Sequence, residues 1–306
     1  MKRLGVHLVD ELARASRTYR NLWAIDGDLG DSYGLFDDEG SPRIPQFLQA
    51  GIAEQTMVAV AAGLASTGQR PWVFSFSAFL CHRAADQIRT CVAHQGLPVI
   101  LVGSHAGAAT GPNGCSHASL GDLGVMRAIG GIERWAPADL LDVRAAVANL
   151  LDTSCPAYVR LSREPSADLP LAAGIVRNNG LSGEIVVLST GLASHWAAEA
   201  VTELSRLGRP IPWSHVASLS DATLGCFLTM HPRLRVAIVM EDHRVSCGLA
   251  DSLRMLAPSN VYVHGLGWPI DWHGESGSIA DLRQAYGLDL VSLIRCIEGM
   301  QERCSC

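Results

Sequence analysis

Residues 97–104, LPVILVGS, are an almost unbroken aliphatic run that stops at a Gly-rich stretch, SHAGAATGPNGCSHASLGD. A strand with no polar side is buried on both faces, which in soluble proteins means a parallel sheet with helices packed above and below it. Such sheets bind ligands in the crevice outside the carboxyl ends of their strands. The loop that follows this strand is therefore the first place to look for function.

The flanking segments keep the same rhythm. Leu4, Leu8, Leu12 and Ala15 are spaced by three and four, which predicts a helix over 4–18. Strands are expected at LWAI (22–25), WVFSFS (72–77), GIERWAP (131–137) and PAYVRLS (156–162). Helices are expected at 55–65, 80–95, 123–129 and 138–152. This alternation predicts a doubly wound α/β domain over residues 1–165. Residues 166–183 lose periodicity and gain Pro, Gly and Asn, as a linker does. A second doubly wound α/β domain is expected over 184–306, with strands EIVVLST, PIPWSHVAS, RVAIVME and NVYVHGL and a last helical segment broken at Gly287. A chain of 306 residues suits two cores better than one.

Composition removes several classes of function. Apolar residues make up 48% and charged residues 18%, as in a packed globular protein, and the net charge of −6 gives no basic surface for nucleic acid or an anionic membrane. No apolar run is long enough to span a bilayer. The N-terminal MKRLGVHLVDELARASR meets Asp10 and Glu11 early and reads as an amphipathic helix, not a signal peptide. Nine cysteines without a CxxC pair fit reduced thiols in a cytoplasm. Cys304 and Cys306 would make half a metal site, and a frayed end is the reading preferred; no metal set is expected from this chain.

One carboxylate stands out. Glu54 opens the long apolar, small-residue segment GIAEQTMVAVAAGLA, where burial disfavours the ionised form. Either it caps free N–H groups at a helix start or a ligand needs it there. Phe76 and Phe79 follow, and taken alone they are ordinary core. His105 and His117 flank the Gly-rich loop twelve residues apart, and an isolated loop histidine is usually surface polar.

Together the motifs DGDLG (26–30), GIAEQTM (51–57), FSAFLCHRAADQIR (76–89), the loop from His105 to His117, RLSREP (160–165) and GESGS (274–278) resemble the transketolase family. The likeness is to its pyrimidine-binding and C-terminal domains and covers nearly the whole chain. It implies thiamine diphosphate as cofactor. Glu54 would hydrogen-bond N1′ of the aminopyrimidine and so favour the tautomer that serves as internal base. Phe79 would stack on the ring, with Phe76 beside it, and Asp28 would lie near the cofactor at a subunit interface. His105 and His117 would assist proton transfers at the substrate carbonyl and hydroxyls. Arg163 would bind the sugar-phosphate end, with Ser32 a weaker contact, Asn113 at a substrate hydroxyl and His82 in the pocket. An unliganded Asp/Gly turn at Asp28 and an ion pair of Arg163 with Glu164 are the alternatives.

The chain also departs from the family. Where the family reads D-G-x-T-H-Q, this loop reads Asn113-Gly114-Cys115-Ser116-His117-Ala118, so pentose-phosphate specificity is not implied. No GDG occurs to hold Mg²⁺ and the diphosphate. The resemblance therefore implies half of a split transketolase. A separate N-terminal-type subunit carrying GDG would hold Mg²⁺, in an α2β2 heterotetramer that transfers a two-carbon ketol unit from a ketose or ketose phosphate to an aldehyde. The alternatives are the β subunit of a 2-oxo acid dehydrogenase, a deoxyxylulose phosphate synthase-like condensation, and a non-catalytic regulatory paralogue.

Overall fold

The computed structural model describes residues 3–305, without the side chains of Pro112 and residues 302–305. The thiols of Cys304 and Cys306 lie outside these. In the first unit, α1 (Leu4–Ala15) leads to β1 (Leu22–Asp26), a short α2 (Gly30–Tyr33), β2 (Gln46–Gln49), α3 (Glu54–Ser66) and β3 (Arg70–Phe76). A π-helical segment (Phe79–Arg83), one turn of α4 (Ala85–Gln87) and a second π segment (Ile88–Ala93) precede β4 (Ile100–Ser104). A 3₁₀ stretch (Ala108–Ser116), α5 (Asp122–Ile129), β5 (Glu133–Trp135), α6 (Leu140–Leu150) and β6 (Ala157–Arg160) complete it. The six strands form one sheet in the order β2-β1-β3-β4-β6-β5, parallel throughout. As its composition predicts, β4 is buried along its whole length.

The second unit runs β7 (Arg177–Asn178), β8 (Ile185–Ser189), α7 (Ala193–Arg206), β9 (Trp213–His215), α8 (Asp221–Met230), β10 (Val236–Arg244), α9 (Leu249–Leu256), β11 (Tyr262–Trp268), α10 (Ile279–Ala285) and α11 (Leu290–Ser305). Its sheet order is β11-β10-β8-β9-β7, parallel except for β7. Gly287 breaks the last helical segment at φ 68°, as expected. The fold class is thus the α/β pair of sheets read from the sequence. Among the described residues no helix is long and apolar enough to cross a membrane.

Two stretches differ from expectation. Residues 80–95 are not one α-helix but two π segments around a single α turn, a geometry found mostly at functional sites. The π turn buries Leu80 and Cys81 while leaving the flanking Phe79 and His82 outside the core. The stretch 166–183 is also more than a linker. Its Arg177 adds an antiparallel edge strand to the second sheet and sinks its guanidinium between Asp139 and Asp142 of the first unit, with each contact at 2.9 Å. His215 of the second sheet reaches the same Asp142 at 2.7 Å and is held in turn by Ser194 at 2.7 Å. Buried charge persists only when paired, so this cluster fastens the two units together.

Candidate functional site

The site is assembled at the carboxyl ends of β3, β4 and β6. Glu54 is the first residue of α3, and its carboxylate is 1% exposed. One oxygen takes a charged hydrogen bond from Arg83 at 2.7 Å and the other lies 3.4 Å from the Ser75 hydroxyl. The same guanidinium lies over the Phe79 ring, 4.4 Å from its centre. Arg83 comes from the first π segment, and sequence reading missed it because its partner stands 29 residues away.

Phe76 and Phe79 meet edge to face at 5.3 Å. The ring of Phe76 also touches His105 at 4.6 Å and His117 at 5.1 Å, and Phe79 touches His117 at 5.1 Å. Four side chains from two distant segments thus form one aromatic cluster. His105 follows directly on β4 with φ 53°, a left-handed conformation that costs a non-glycine residue about 1–3 kcal/mol. Its Nδ1 is within 2.9 Å of the Ser104 hydroxyl, and Nδ1 of His117 is within 2.8 Å of the Ser116 hydroxyl.

Burial holds His105 down to about 4, and the positive charges of Arg163 and Arg3 push the same way. Arg3 was not singled out from the sequence. It reaches the site because residue 3 bridges to Pro165, beside the RLSREP segment. Among the described residues no ion pair joins Arg163 to Glu164. The charge of Arg163 is felt instead at His105, as is that of Arg3.

The second unit braces the histidine loop from below its start and along its length. Asp242 accepts the N–H of Ala108 at 3.1 Å and the indole N–H of Trp268 at 2.6 Å. A Cβ on Gly107 would fall 1.9 Å from the Asp242 carboxylate, and Gly107 has φ 80° and ψ −158°, a region open essentially only to glycine. Gly107→Ala is therefore expected to lower stability by about 1–3 kcal/mol or more, measured by thermal unfolding; an unchanged midpoint would show that the brace is not tight. The GESGS motif packs against the same loop, with the Ser276 hydroxyl 2.7 Å from a Cβ placed on Gly114.

The remaining expected residues are more dispersed. Ser32 and the exposed Asp28 (φ 68°) line a separate crevice of about 250 Å³ with Asp26, Asp31 and Gln49, an acidic setting that Arg163 does not line. Asp26 accepts the N–H groups of Leu29 and Gly30 and shapes that turn. Asn113 is exposed, and its carbonyl accepts from the Ser116 hydroxyl at 3.3 Å. His82 is exposed on a cavity beside Phe79.

The fit of an aminopyrimidine can be judged from what already occupies these surfaces. A planar, N–H-rich guanidinium satisfies the Glu54 carboxylate and the Phe79 face at once. The pair therefore suits a flat ring that donates N–H to the carboxylate while its face lies on Phe79. Among the described residues no group of three or more His, Cys, Asp or Glu is placed to hold a metal ion.

Comparison with known proteins shows the family and the fold. Residues 7–166 match the family described as transketolase, pyrimidine binding domain. The chain is 30% identical to a putative transketolase C-terminal section of Methanocaldococcus jannaschii, over 96% of this chain and 95% of that one. It is 29% identical to the 6-deoxy-6-sulfo-D-fructose transketolase subunit SqwH of Clostridium sp. (strain MSTE9), over 96% and 93%. The solved structure of a split gene transketolase, an inactive beta4 tetramer, shares the fold with a TM-score of 0.84 at 23% identity, covering 97% of both chains.

Proposed function

Because the chain belongs to the transketolase family, we propose that it is the pyrimidine-binding subunit of a two-chain enzyme that uses thiamine diphosphate to move a two-carbon ketol unit from a ketose to an aldehyde. The observation that carries this reading is the convergence of the buried Glu54 carboxylate and the Phe79 ring on one planar cation. Glu54 and Phe79 would hold the aminopyrimidine, with Arg83 yielding the place it fills. Thiamine diphosphate, when bound, supplies the electron sink that lets a carbon–carbon bond beside a carbonyl break.

This chain's own residues do the rest. His105 is neutral at neutral pH, so its ring can accept or donate a proton at a substrate oxygen. His117, which also meets the Phe76 ring, would serve the same purpose at a second oxygen. Arg163 and Arg3 offer guanidinium forks to the phosphate end of a sugar. Asn113 at the loop tip would meet a substrate hydroxyl, and Asp28 and Ser32 would face the partner from their acidic crevice. The partner would carry the GDG motif, the Mg²⁺ and the diphosphate, in a cytoplasmic α2β2 assembly. By analogy with the inactive tetramer of the split gene transketolase, this chain alone would be inert.

The test is reconstitution. The chain mixed with a GDG-bearing partner should form a heterotetramer on size exclusion and transfer ketol units only when thiamine diphosphate and Mg²⁺ are present. Failure to associate, or equal turnover by the chain alone, would sink the proposal. The His105 ring makes a separate prediction. Followed by NMR through the acid range, it should titrate near 4, well below the ordinary value of about 6.5. Its base form is then fully present throughout the neutral range and is lost only as pH falls through 4.

A further inference from the structure

Where α5 and β5 of the first unit meet α9 of the second, two guanidiniums share one neutral partner. Nη1 of Arg127, from α5, and Nη1 of Arg134, from β5, both donate to the Ser252 hydroxyl of α9, at 3.4 and 3.3 Å. These are long contacts, since N–H···O bonds lie at about 2.7–3.2 Å. The hydroxyl gives its one proton to the Gly248 carbonyl at 2.8 Å, so towards the two cations it can only accept. Arg134 is buried, and its Nη2 donates to the Leu219 carbonyl at 3.1 Å. Among the described residues neither arginine makes an ion pair. Burial and the nearby charge of Arg127 both weigh against the charge of Arg134, and the exposed Asp221 offsets them less. Two like charges held together at a buried seam without an acid are costly, and an anion between the units would offset that cost.

Arg127 also lines a cavity of about 640 Å³ together with Cys247, Arg254, Met255 and one carboxylate, Asp251. That carboxylate is already committed, because it pairs with Arg254 and accepts the N–H of Cys247. The cavity shares no lining residue with the one beside Phe79. The seam around it is tied by main-chain bonds, from the Ala136 N–H to the Ala217 carbonyl at 2.7 Å and from the Leu219 N–H to the Arg134 carbonyl at 2.9 Å. We propose that this seam is an oxyanion site, where a phosphate or sulfate group seated in the cavity against Arg127 neutralises the charges of Arg127 and Arg134 together. A guanidinium fork matches the paired oxygens of such a group. The anion ties α5 and β5 of the first unit to α9 of the second, so its binding fastens the two units at a place outside the cofactor wall. None of these residues has a role in the ketol-transfer reading above.

Thermal unfolding and calorimetric titration of the full chain test it without any turnover. The probes are inorganic phosphate, sulfate and glycerol 3-phosphate, each set against sodium chloride of matched ionic strength. Phosphate and sulfate are expected to raise the midpoint by about 2–4 °C beyond chloride at about ten times their dissociation constants. Arg127→Gln should weaken their binding by about tenfold or more and remove most of that rise, while Arg127→Lys, which keeps the charge but loses the fork, should fall between. In chloride alone the midpoint of Arg127→Gln should be unchanged or higher, because one of two like charges is gone; a residue that served only to brace Ser252 would lower it. Arg163→Gln should leave the rise in place, which separates this site from the positive charge around His105. Tighter binding of glycerol 3-phosphate than of phosphate assigns the site to an organic ester, and equal or weaker binding assigns it to the free ion. No rise over chloride in the wild type, or the same rise and affinities within about twofold in Arg127→Gln, would overturn the proposal. The outcome stands whether or not the reconstituted complex transfers ketol units.

Discussion

Glu54→Gln, in the complex with its partner, is expected to lose about 10²–10⁴-fold in ketol-transfer rate while the chain remains folded. The amide keeps the shape of the side chain and can still accept from Arg83. It cannot share a proton with a basic ring nitrogen as a carboxylate can. The stability cost should be small, because Arg83 is 46% exposed and can turn its charge to water; an ion pair with one solvated partner contributes at most about 1 kcal/mol. Binding of thiamine diphosphate, followed by calorimetry, should weaken in parallel. A Glu54→Gln complex of wild-type activity would refute the role assigned to this carboxylate. A variant that had merely unfolded would be recognised by its lost thermal transition.

The largest loss of stability is expected far from the site, in Arg177→Ala. The Arg177 guanidinium is buried between Asp139 and Asp142 and also donates to the carbonyls of Leu169 and Leu171. Removing it leaves two carboxylates inside the protein without their counter-charge, which costs about 3–5 kcal/mol. Thermal unfolding should show a drop on the order of 10 °C. Arg206→Ala, which removes an exposed pair with Glu203, should change stability by no more than about 0.5 kcal/mol. Equal effects of the two substitutions would show that the buried cluster does not fasten the units.

The same cluster sets a pH dependence. Burial alone would raise Asp142, but His215, the Ala138 N–H and Arg177 outweigh it and bring the carboxyl down to about 2. A carboxyl depressed in the folded state contributes stability above its unfolded value of about 3.9. That contribution is lost as pH falls from there towards about 2. In Arg177→Ala the acid transition should move to higher pH.

Most of the elements were legible because their signals are local. The aliphatic run of β4, the leucine spacing of α1 and the break at Gly287 are each carried by neighbouring residues. The segments 80–95 and 166–183 misled for the opposite reason. A π turn is a response to what Phe79 and Arg83 must touch, and β7 exists because Arg177 has a pocket of acids in another unit. Nothing within either segment announces those partners.

Glu54, Phe76, Phe79, His105 and His117 could be picked out from the sequence because their motifs stand in a recognisable order. What the sequence determined by itself was therefore the α/β architecture, the family likeness and the side chains of one wall of a site. Only the tertiary structure decided that four of those side chains share one ring cluster, that Arg83 joins the carboxylate to the aromatic face, and that Asp242 of the second unit holds the start of the histidine loop. These contacts close loops of tens to hundreds of residues. Their partners are chosen by where the sheets and their crossovers bring the chain, which no local spacing records.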